Sequence, residues 1–237
     1  MDKKSPIEIT ITERPPSVTI TQWVYATLRS AVMDGHILPG RALTIRELAS
    51  LLNVSPMPIR EALRQLAAEN ALDIRENRRI MVPHMTPAKF TELYEARIAI
   101  ESHAAARALP YIDTERLQAL KQLDQRIDKA QANGDLIQIN QLNQAFHRLI
   151  YTANPHQITL PLIESLWLQL GPFMRLANSK LDDHYQVDRH VEAMNAIANH
   201  DAFALQVAIA ADIREGIAFA ATPERMQHFI DEANDPC

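Results

Sequence analysis

Residues 54–63 read Val-Ser-Pro-Met-Pro-Ile-Arg-Glu-Ala-Leu, and they follow the stretch Leu-Thr-Ile-Arg-Glu-Leu-Ala at residues 43–49. Each stretch contains a residue that caps helices, Thr44 or Ser55, followed by apolar residues at helical spacing. The first of these helices is predicted over residues 45–52 and the second from residue 56 to about residue 70, with a turn of only a few residues between them. Helices joined by so short a turn predict a helix-turn-helix.

The residues on either side of this pair complete a larger pattern. Apolar residues at helical spacing predict a first helix over residues 20–33. Alternating apolar residues on both sides of a polar tip predict a short hairpin over residues 72–82. Three helices followed by a hairpin are typical of a winged helix, which we assign to residues 18–84. Residues 1–17 show no helical period and are expected to form a flexible arm.

The second helix of the pair divides into two faces. Its apolar residues make one stripe that suits a domain core, whereas Met57, Arg60 and Arg64 lie outside that stripe. A recognition helix presents the residues near its N-terminus to the DNA major groove. Met57 and Arg60 are therefore candidates for DNA contacts, while Arg64 is equally well explained as a solvated surface residue.

Three further arginines lie on the elements that flank this helix. Arg46 can reach a phosphate or a groove edge, and Arg78 and Arg79 at the hairpin tip can lie along the minor groove or the backbone. The alternative is an ordinary solvated surface. Charge favours DNA weakly, because residues 1–84 carry 11 Lys and Arg against 9 Asp and Glu, whereas the rest of the chain carries 13 against 20.

The composition of the whole chain is that of a helix-rich protein. Its 237 residues include only 5 glycines, and from residue 85 onward the only periodicity is helical. We therefore predict a mainly α protein, with the winged helix-turn-helix followed by an all-α antiparallel helical bundle over residues 85–237. The first residues lack the apolar run expected of a signal peptide, no stretch approaches the roughly 18 apolar residues of a membrane span, and the single cysteine is Cys237. We expect a cytoplasmic protein with no membrane partner.

Side chains with metal-binding chemistry occur on three helices of the predicted bundle. Asn143 and His147 are four residues apart and project from one face of a helix, while His190 and Asp212 border the apolar stripes of two later helices. Two imidazoles, a carboxylate and an amide oxygen suit a divalent metal ion. Histidines on helices are also commonly core or surface residues, so the residues alone leave both interpretations open.

The N-terminal motifs resemble those of the GntR family of bacterial regulators. That family has G-x-(I/L)-x-P-G, then L-x-E-x-x-L-A and V-S-R-x-P-V-R-E-A-L; this chain has Gly-His-Ile-Leu-Pro-Gly at residues 35–40 and then the two stretches quoted above. The resemblance implies that four positions contact DNA, namely Arg46, Ser55, Met57 and Arg60. The chain departs from the pattern where the family usually has a glutamate, an arginine and a wing glycine, at Ile45, Pro56 and Arg79.

The remainder of the chain resembles the FCD effector domain of the FadR branch of this family. Arg97 and Glu101 match the R-x-x-x-E pattern of the first helix of that domain. Arg97 is a candidate partner for an effector carboxylate. The alternative is an intrahelical ion pair between Arg97 and Glu101, which are four residues apart.

The resemblance also implies a divalent metal, held in the family by D-x-x-x-H on one helix and a histidine from each of two later helices. The corresponding set in this chain is Asn143, His147, His190 and Asp212. Asn143 replaces the usual aspartate, and Asp212 replaces the last histidine. The remaining donors suit Zn²⁺, Ni²⁺, Mn²⁺ or Fe²⁺, with open positions for water or an effector carboxylate.

Together these features predict a ligand-responsive, DNA-binding transcription regulator, with repression of a metabolic operon as its expected role. Its expected partners are double-stranded operator DNA and a small organic acid. We expect a homodimer, because a two-fold protein suits a palindromic operator. The enzyme alternative takes His147, His190 and Asp212 as a two-histidine, one-carboxylate metal site. A protein-interaction module would leave the arginine-bearing helix unexplained.

Overall fold

A computed structural model of the chain describes residues 9–74, 80–178, 189–220 and 222–234. Contacts within the chain divide it into two compact units. The first unit comprises Met1–Met85, Trp167–Phe173 and Ile230–Cys237, and the second comprises Thr86–Leu166 and Met174–Phe229. None of the helices in the described ranges combines the length and the apolar character needed to cross a membrane.

The first unit contains a winged helix-turn-helix, as predicted. Its elements in chain order are α1 (Ile20–Met33), β1 (Ala42–Leu43), α2 (Ile45–Leu51), α3 (Pro56–Ala68), β2 (Asp73–Ile74) and β3 (Ile80–Met81). The strands form an antiparallel sheet in the order β1-β3-β2, in which Leu43 and Ile74 both pair with Ile80. Strand β1 was not predicted, because two residues are too few to show the alternation of a strand.

Capping residues and a buried apolar stripe explain the helices of this unit. Thr19 forms a capping box with Gln22 at the start of α1, and the Thr44 side chain accepts a hydrogen bond from the backbone N–H of Glu47 in α2. Ser55 occupies the N-cap position of α3, but its side chain makes no capping hydrogen bond. The fully buried core of the three helices includes Val24, Leu28, Leu48, Ile59 and Leu66.

The remaining helices confirm the predicted all-helical region. They are α4 (Pro87–Ala108), α5 (Thr114–Ala132), α6 (Leu136–Tyr151), α7 (Leu160–Asn178), α8 (Arg189–Ala198), α9 (Ala202–Glu215) and α10 (Pro223–Asn234). Helix α4 packs against α9 and α6, α5 packs against α6 and α8, and α8 packs against α9. The polar residues that α6, α8 and α9 carry are thereby brought together inside the second unit.

Helix α7 has a close approach to α1 at a glycine in its middle. Gly171 and Pro172 lie inside α7, in a segment that belongs to the first unit. A β-carbon at Gly171 would lie 2.5 Å from the backbone oxygen of Met33 and 2.6 Å from its Cα. Only glycine therefore allows α7 to approach the end of α1 this closely.

Candidate functional site

A cluster of buried polar side chains lies inside the second unit. The ligand-capable atoms of His147 on α6, His190 on α8 and Asp212 on α9 all lie within 4.8 Å of one another. His147 and His190 are 2% and 4% exposed, so their ring nitrogens are shielded from hydrogen bonds with bulk water. The structure thus brings together three of the four residues that the sequence suggested as metal ligands.

His147 is held from both sides of its ring. Its Nδ1 lies 3.1 Å from the hydroxyl oxygen of Tyr151, and that hydroxyl donates a hydrogen bond of 3.0 Å to Oε2 of Glu101. Because the hydroxyl proton goes to Glu101, the Tyr151 oxygen accepts from Nδ1–H of His147. The other nitrogen, Nε2, lies 3.0 Å from Oδ2 of Asp212. This arrangement directs Nε2 towards the cluster.

His190 is oriented in the same way by a different carboxylate. Its Nδ1 lies 2.9 Å from Oδ1 of Asp124, a buried residue of α5. A carboxylate only accepts, so Nδ1 of His190 carries a proton and Nε2 faces the cluster, 3.8 Å from Oδ1 of Asp212. The imidazole also stacks on the ring of Phe146 at a centroid distance of 4.0 Å. Both histidine rings therefore have a fixed orientation.

The atoms that face one another in the cluster are electron-pair donors, namely the Asp212 carboxylate and the Nε2 atoms of His147 and His190. Such a group of donors favours a bound positive charge. Burial by itself raises the pKa of Asp212, but the hydrogen bond with His147 and the neighbouring His190 outweigh burial and lower that pKa below its usual range. The carboxylate is therefore ionised beside two imidazole nitrogens. A divalent cation bound between these donors would balance the negative charge of Asp212.

Asn143 lies on the same helix as His147 and carries a further potential donor oxygen. It precedes His147 by one turn of α6, and its Oδ1 is buried without a hydrogen-bond partner among the described residues. A buried amide oxygen that accepts no hydrogen bond is unfavourable unless another group satisfies it. The donor set of two nitrogens, a carboxylate and this oxygen fits a divalent cation of the Zn²⁺ to Fe²⁺ type.

Arg97 forms an intrahelical ion pair with Glu101, which is one of the two alternatives that the sequence predicts. Its Nε donates to Oε1 of Glu101 at 2.7 Å, and its guanidinium lies 5.2 Å from the ring centroid of Tyr94. Glu101 is fully buried and also accepts from Tyr151, so Arg97 is linked through two side chains to His147.

Sequence reasoning missed Tyr151 and Asp124, which orient the two histidines. Tyr151 lies four residues after His147 on the same helix, and this spacing could have indicated it. Asp124 comes from α5, and no spacing pattern relates it to His190. Its role depends on the packing of α5 against α8.

The candidate DNA contacts lie on the outer face of α2 and α3. Arg46 and Arg60 are exposed, Met57 is 65% exposed, and Ser55 has a hydroxyl that α3 does not use. Arg64 is also exposed, but it donates to Glu61 at 3.1 Å. The predicted wing contacts lie outside the described residues, at Arg78 and Arg79.

The winged helix and the helical unit with its buried polar cluster define a class of protein, the DNA-binding regulators with a helical ligand-binding domain. Residues 20–82 match the model described as bacterial regulatory proteins of the gntR family, and residues 92–215 match the FCD domain. The chain therefore belongs to the GntR family and is a ligand-responsive, DNA-binding transcription regulator.

Individual relatives are similar over most of the chain. It is 32% identical to the HTH-type transcriptional regulator McbR of Escherichia coli (strain K12) over 155 residues, which cover 65% of this chain and 70% of McbR. It is 25% identical to the HTH-type transcriptional repressor RspR of the same strain over 205 residues, 86% of this chain and 90% of RspR. The solved structure of E. coli McbR/YncC has a TM-score of 0.79 at 27% identity, covering 86% of this chain and 98% of that chain.

Proposed function

We propose that this regulator is a homodimeric repressor of a metabolic operon that responds to a small organic acid. In this proposal residues 18–84 bind the operator, and residues 85–237 bind the effector and dimerise. An effector changes the affinity for DNA only if it binds two arrangements of the protein with different affinities. The name of RspR, a transcriptional repressor, supports the direction of control.

The effector site is proposed to contain a divalent metal held by Asn143, His147, His190 and Asp212. The observation that carries this proposal is the convergence of His147, His190 and Asp212 within 4.8 Å in a buried place. Such a metal, when bound, offers a positive centre to which an effector carboxylate coordinates. Asp124 and Tyr151 hold the imidazoles so that each Nε2 faces that centre.

Operator binding is proposed to use contacts from helices α2 and α3 and further contacts from the wing. Arg46 and Arg60 are placed for phosphates or base edges, Met57 for apolar contact with bases, and Ser55 for a phosphate. Their exposure on α2 and α3 supports this assignment. Arg78 and Arg79 are proposed to add backbone or minor-groove contacts from the wing.

We infer that the cluster binds its ligand and does not convert it. The enzyme alternative needs the same three residues, His147, His190 and Asp212, but the relatives are named as transcription regulators. A regulator retards DNA from its own upstream region with strong salt dependence, whereas an enzyme turns over a substrate. Turnover of an organic acid by the metal-loaded protein would contradict this inference.

The test measures metal content by mass spectrometry together with a gel shift on the upstream DNA. Wild type is compared with the double variant His147→Ala/His190→Ala, and His228→Ala, an exposed histidine, serves as the control. We expect about one metal per chain in wild type and control and none in the double variant. Absence of metal from wild-type protein that still binds DNA would refute the metal site and leave the regulator intact.

A further inference from the structure

A surface cavity of about 200 Å³, partly open to solvent, lies elsewhere in the second unit beside the last turns of α4. Its walls come from the last turns of α4, the 3₁₀ turn that follows and the loop between α6 and α7. None of the four residues proposed as metal ligands lines it. The lining residues that carry the argument are His103, Arg107, Tyr111, Asn154, His156 and Ile158.

Asn154 holds the two walls of this cavity together. Its Nδ2 donates to the backbone oxygen of Arg107 at 3.4 Å, and its Oδ1 accepts from the backbone N–H of His156 at 2.9 Å. Asn154 is 8% exposed, so both hydrogen bonds are shielded from water. Asn154 therefore connects the backbone at Arg107 with the backbone at His156, and the side chains of these two residues project from connected segments.

The lining carries the guanidinium of Arg107 and the imidazoles of His103 and His156, and it lacks any acidic side chain. All three residues are exposed to solvent, and among the described residues Arg107 makes no ion pair and neither imidazole makes a hydrogen bond. The lining therefore carries one positive charge, that of Arg107, in a chain whose net charge is −5. An arginine fork and imidazole N–H groups are the donors that bind phosphate and carboxylate oxygens.

We infer that this cavity is a second ligand site, which binds a small oxyanion. Pockets for drug-sized ligands measure roughly 300–1,000 Å³, so this cavity suits a phosphate or carboxylate group with a small apolar part. Arg107 pairs with the anion, and Ala104 and Ile158 contact the apolar part.

The experiment follows the histidine ring signals in the NMR spectrum of the full chain, labelled at histidine, during titration at fixed pH. Inorganic phosphate and acetate are added separately, and sodium chloride at matched ionic strength serves as the reference. We expect one of the two oxyanions to shift the signals of His103 and His156 saturably, whereas chloride does not. The better anion identifies the ligand as phosphorylated or carboxylated.

Variants then assign the binding to Arg107. Arg107→Ala is expected to weaken anion binding about tenfold or more, because it removes a charge-assisted hydrogen bond. Arg126→Ala, an exposed arginine on α5, is the matched control and is expected to leave binding unchanged. His147→Ala/His190→Ala is also expected to retain the binding, which separates this site from the proposed metal site. Shifts that are absent with both oxyanions, or equal in wild type and Arg107→Ala, would overturn the inference.

Discussion

Nδ1 of His190 lies 2.9 Å from Oδ1 of Asp124, although 66 positions separate the two residues in the sequence. We expect Asp124→Asn to lower metal affinity about 10-fold or more, because the residue that orients a ligating histidine also raises its basicity. Competition with a chelator of known affinity measures the change. Asp128→Asn, one turn further along α5, is the control, and equal affinities of both variants would contradict the orienting role.

The hydroxyl of Tyr151 joins Glu101 to His147 inside the second unit. Tyr151→Phe keeps the ring but leaves buried atoms of Glu101 and His147 without this partner. We expect the free energy of unfolding to fall by about 1–3 kcal/mol. Urea denaturation of the metal-free protein measures this loss, and Tyr111→Phe, whose ring is 45% exposed, is expected to change it by less than about 0.5 kcal/mol. Equal stability of Tyr151→Phe and wild type would show that the hydroxyl makes no net contribution.

Gly171 is the position where α7 approaches the backbone of Met33. Gly171→Ala would place its β-carbon 2.5 Å from a backbone oxygen, which cannot move aside as a flexible side chain does. We expect a loss of about 1–3 kcal/mol of unfolding free energy, as for other overpacked sites. Gly216→Ala is the matched control, since its β-carbon would have no contact closer than 3.4 Å and its φ is −56°. If the free energy of unfolding of Gly171→Ala equalled that of wild type, the approach of α7 to the backbone of Met33 would not be tight.

The exposed arginines of α2 and α3 differ in their local partners. Arg46→Ala and Arg60→Ala are each expected to weaken operator binding about tenfold, the loss of about 1–3 kcal/mol typical of a lost DNA contact. Arg64→Ala is expected to have a smaller effect, because Arg64 already pairs with Glu61. Fluorescence anisotropy with the upstream duplex at several salt concentrations measures both affinity and salt slope. The loss of a phosphate contact reduces the magnitude of that slope by about 1. A larger loss of operator affinity in Arg64→Ala than in Arg46→Ala and Arg60→Ala would contradict the assignment of the DNA contacts.

The raised pKa of Tyr25 predicts that the stability of the first unit depends on pH. Burial, and then the hydrogen bond to Glu69 and the charge of that carboxylate, raise the pKa of Tyr25 to about 12. The unfolded chain has a tyrosine pKa of about 10. Because the folded-state pKa is the higher one, this contribution to stability is complete below about pH 10 and is lost as the pH rises to about 12.

Denaturation at about pH 9 and about pH 11.5 tests this prediction in wild type and in Tyr25→Phe. The variant lacks the ionisable group, so its stability is expected to decrease less between the two pH values. An equal decrease in both proteins would show that Tyr25 is not responsible.

The sequence predicted the helices of the winged helix-turn-helix almost residue by residue, because their signals are local. Helix α1 begins and ends where the pattern over residues 20–33 placed it, between the capping box of Thr19 and Gly35. The prediction extended the second helix to residue 52, one residue beyond the end of α2 at Leu51. Strand β1 could not be predicted, since its two residues become a strand only by pairing with β3.

The sequence alone also determined which side chains have the chemistry to form a site, through the spacing of Asn143 and His147 on one helix and the types of His190 and Asp212. Only the tertiary structure decided that His147, His190 and Asp212 meet within 4.8 Å and that Asp124 orients His190. The cavity beside Arg107 is likewise a product of tertiary structure. The physical reason is that helical periodicity and capping depend on residues a few positions apart, whereas a buried site depends on which helices pack together.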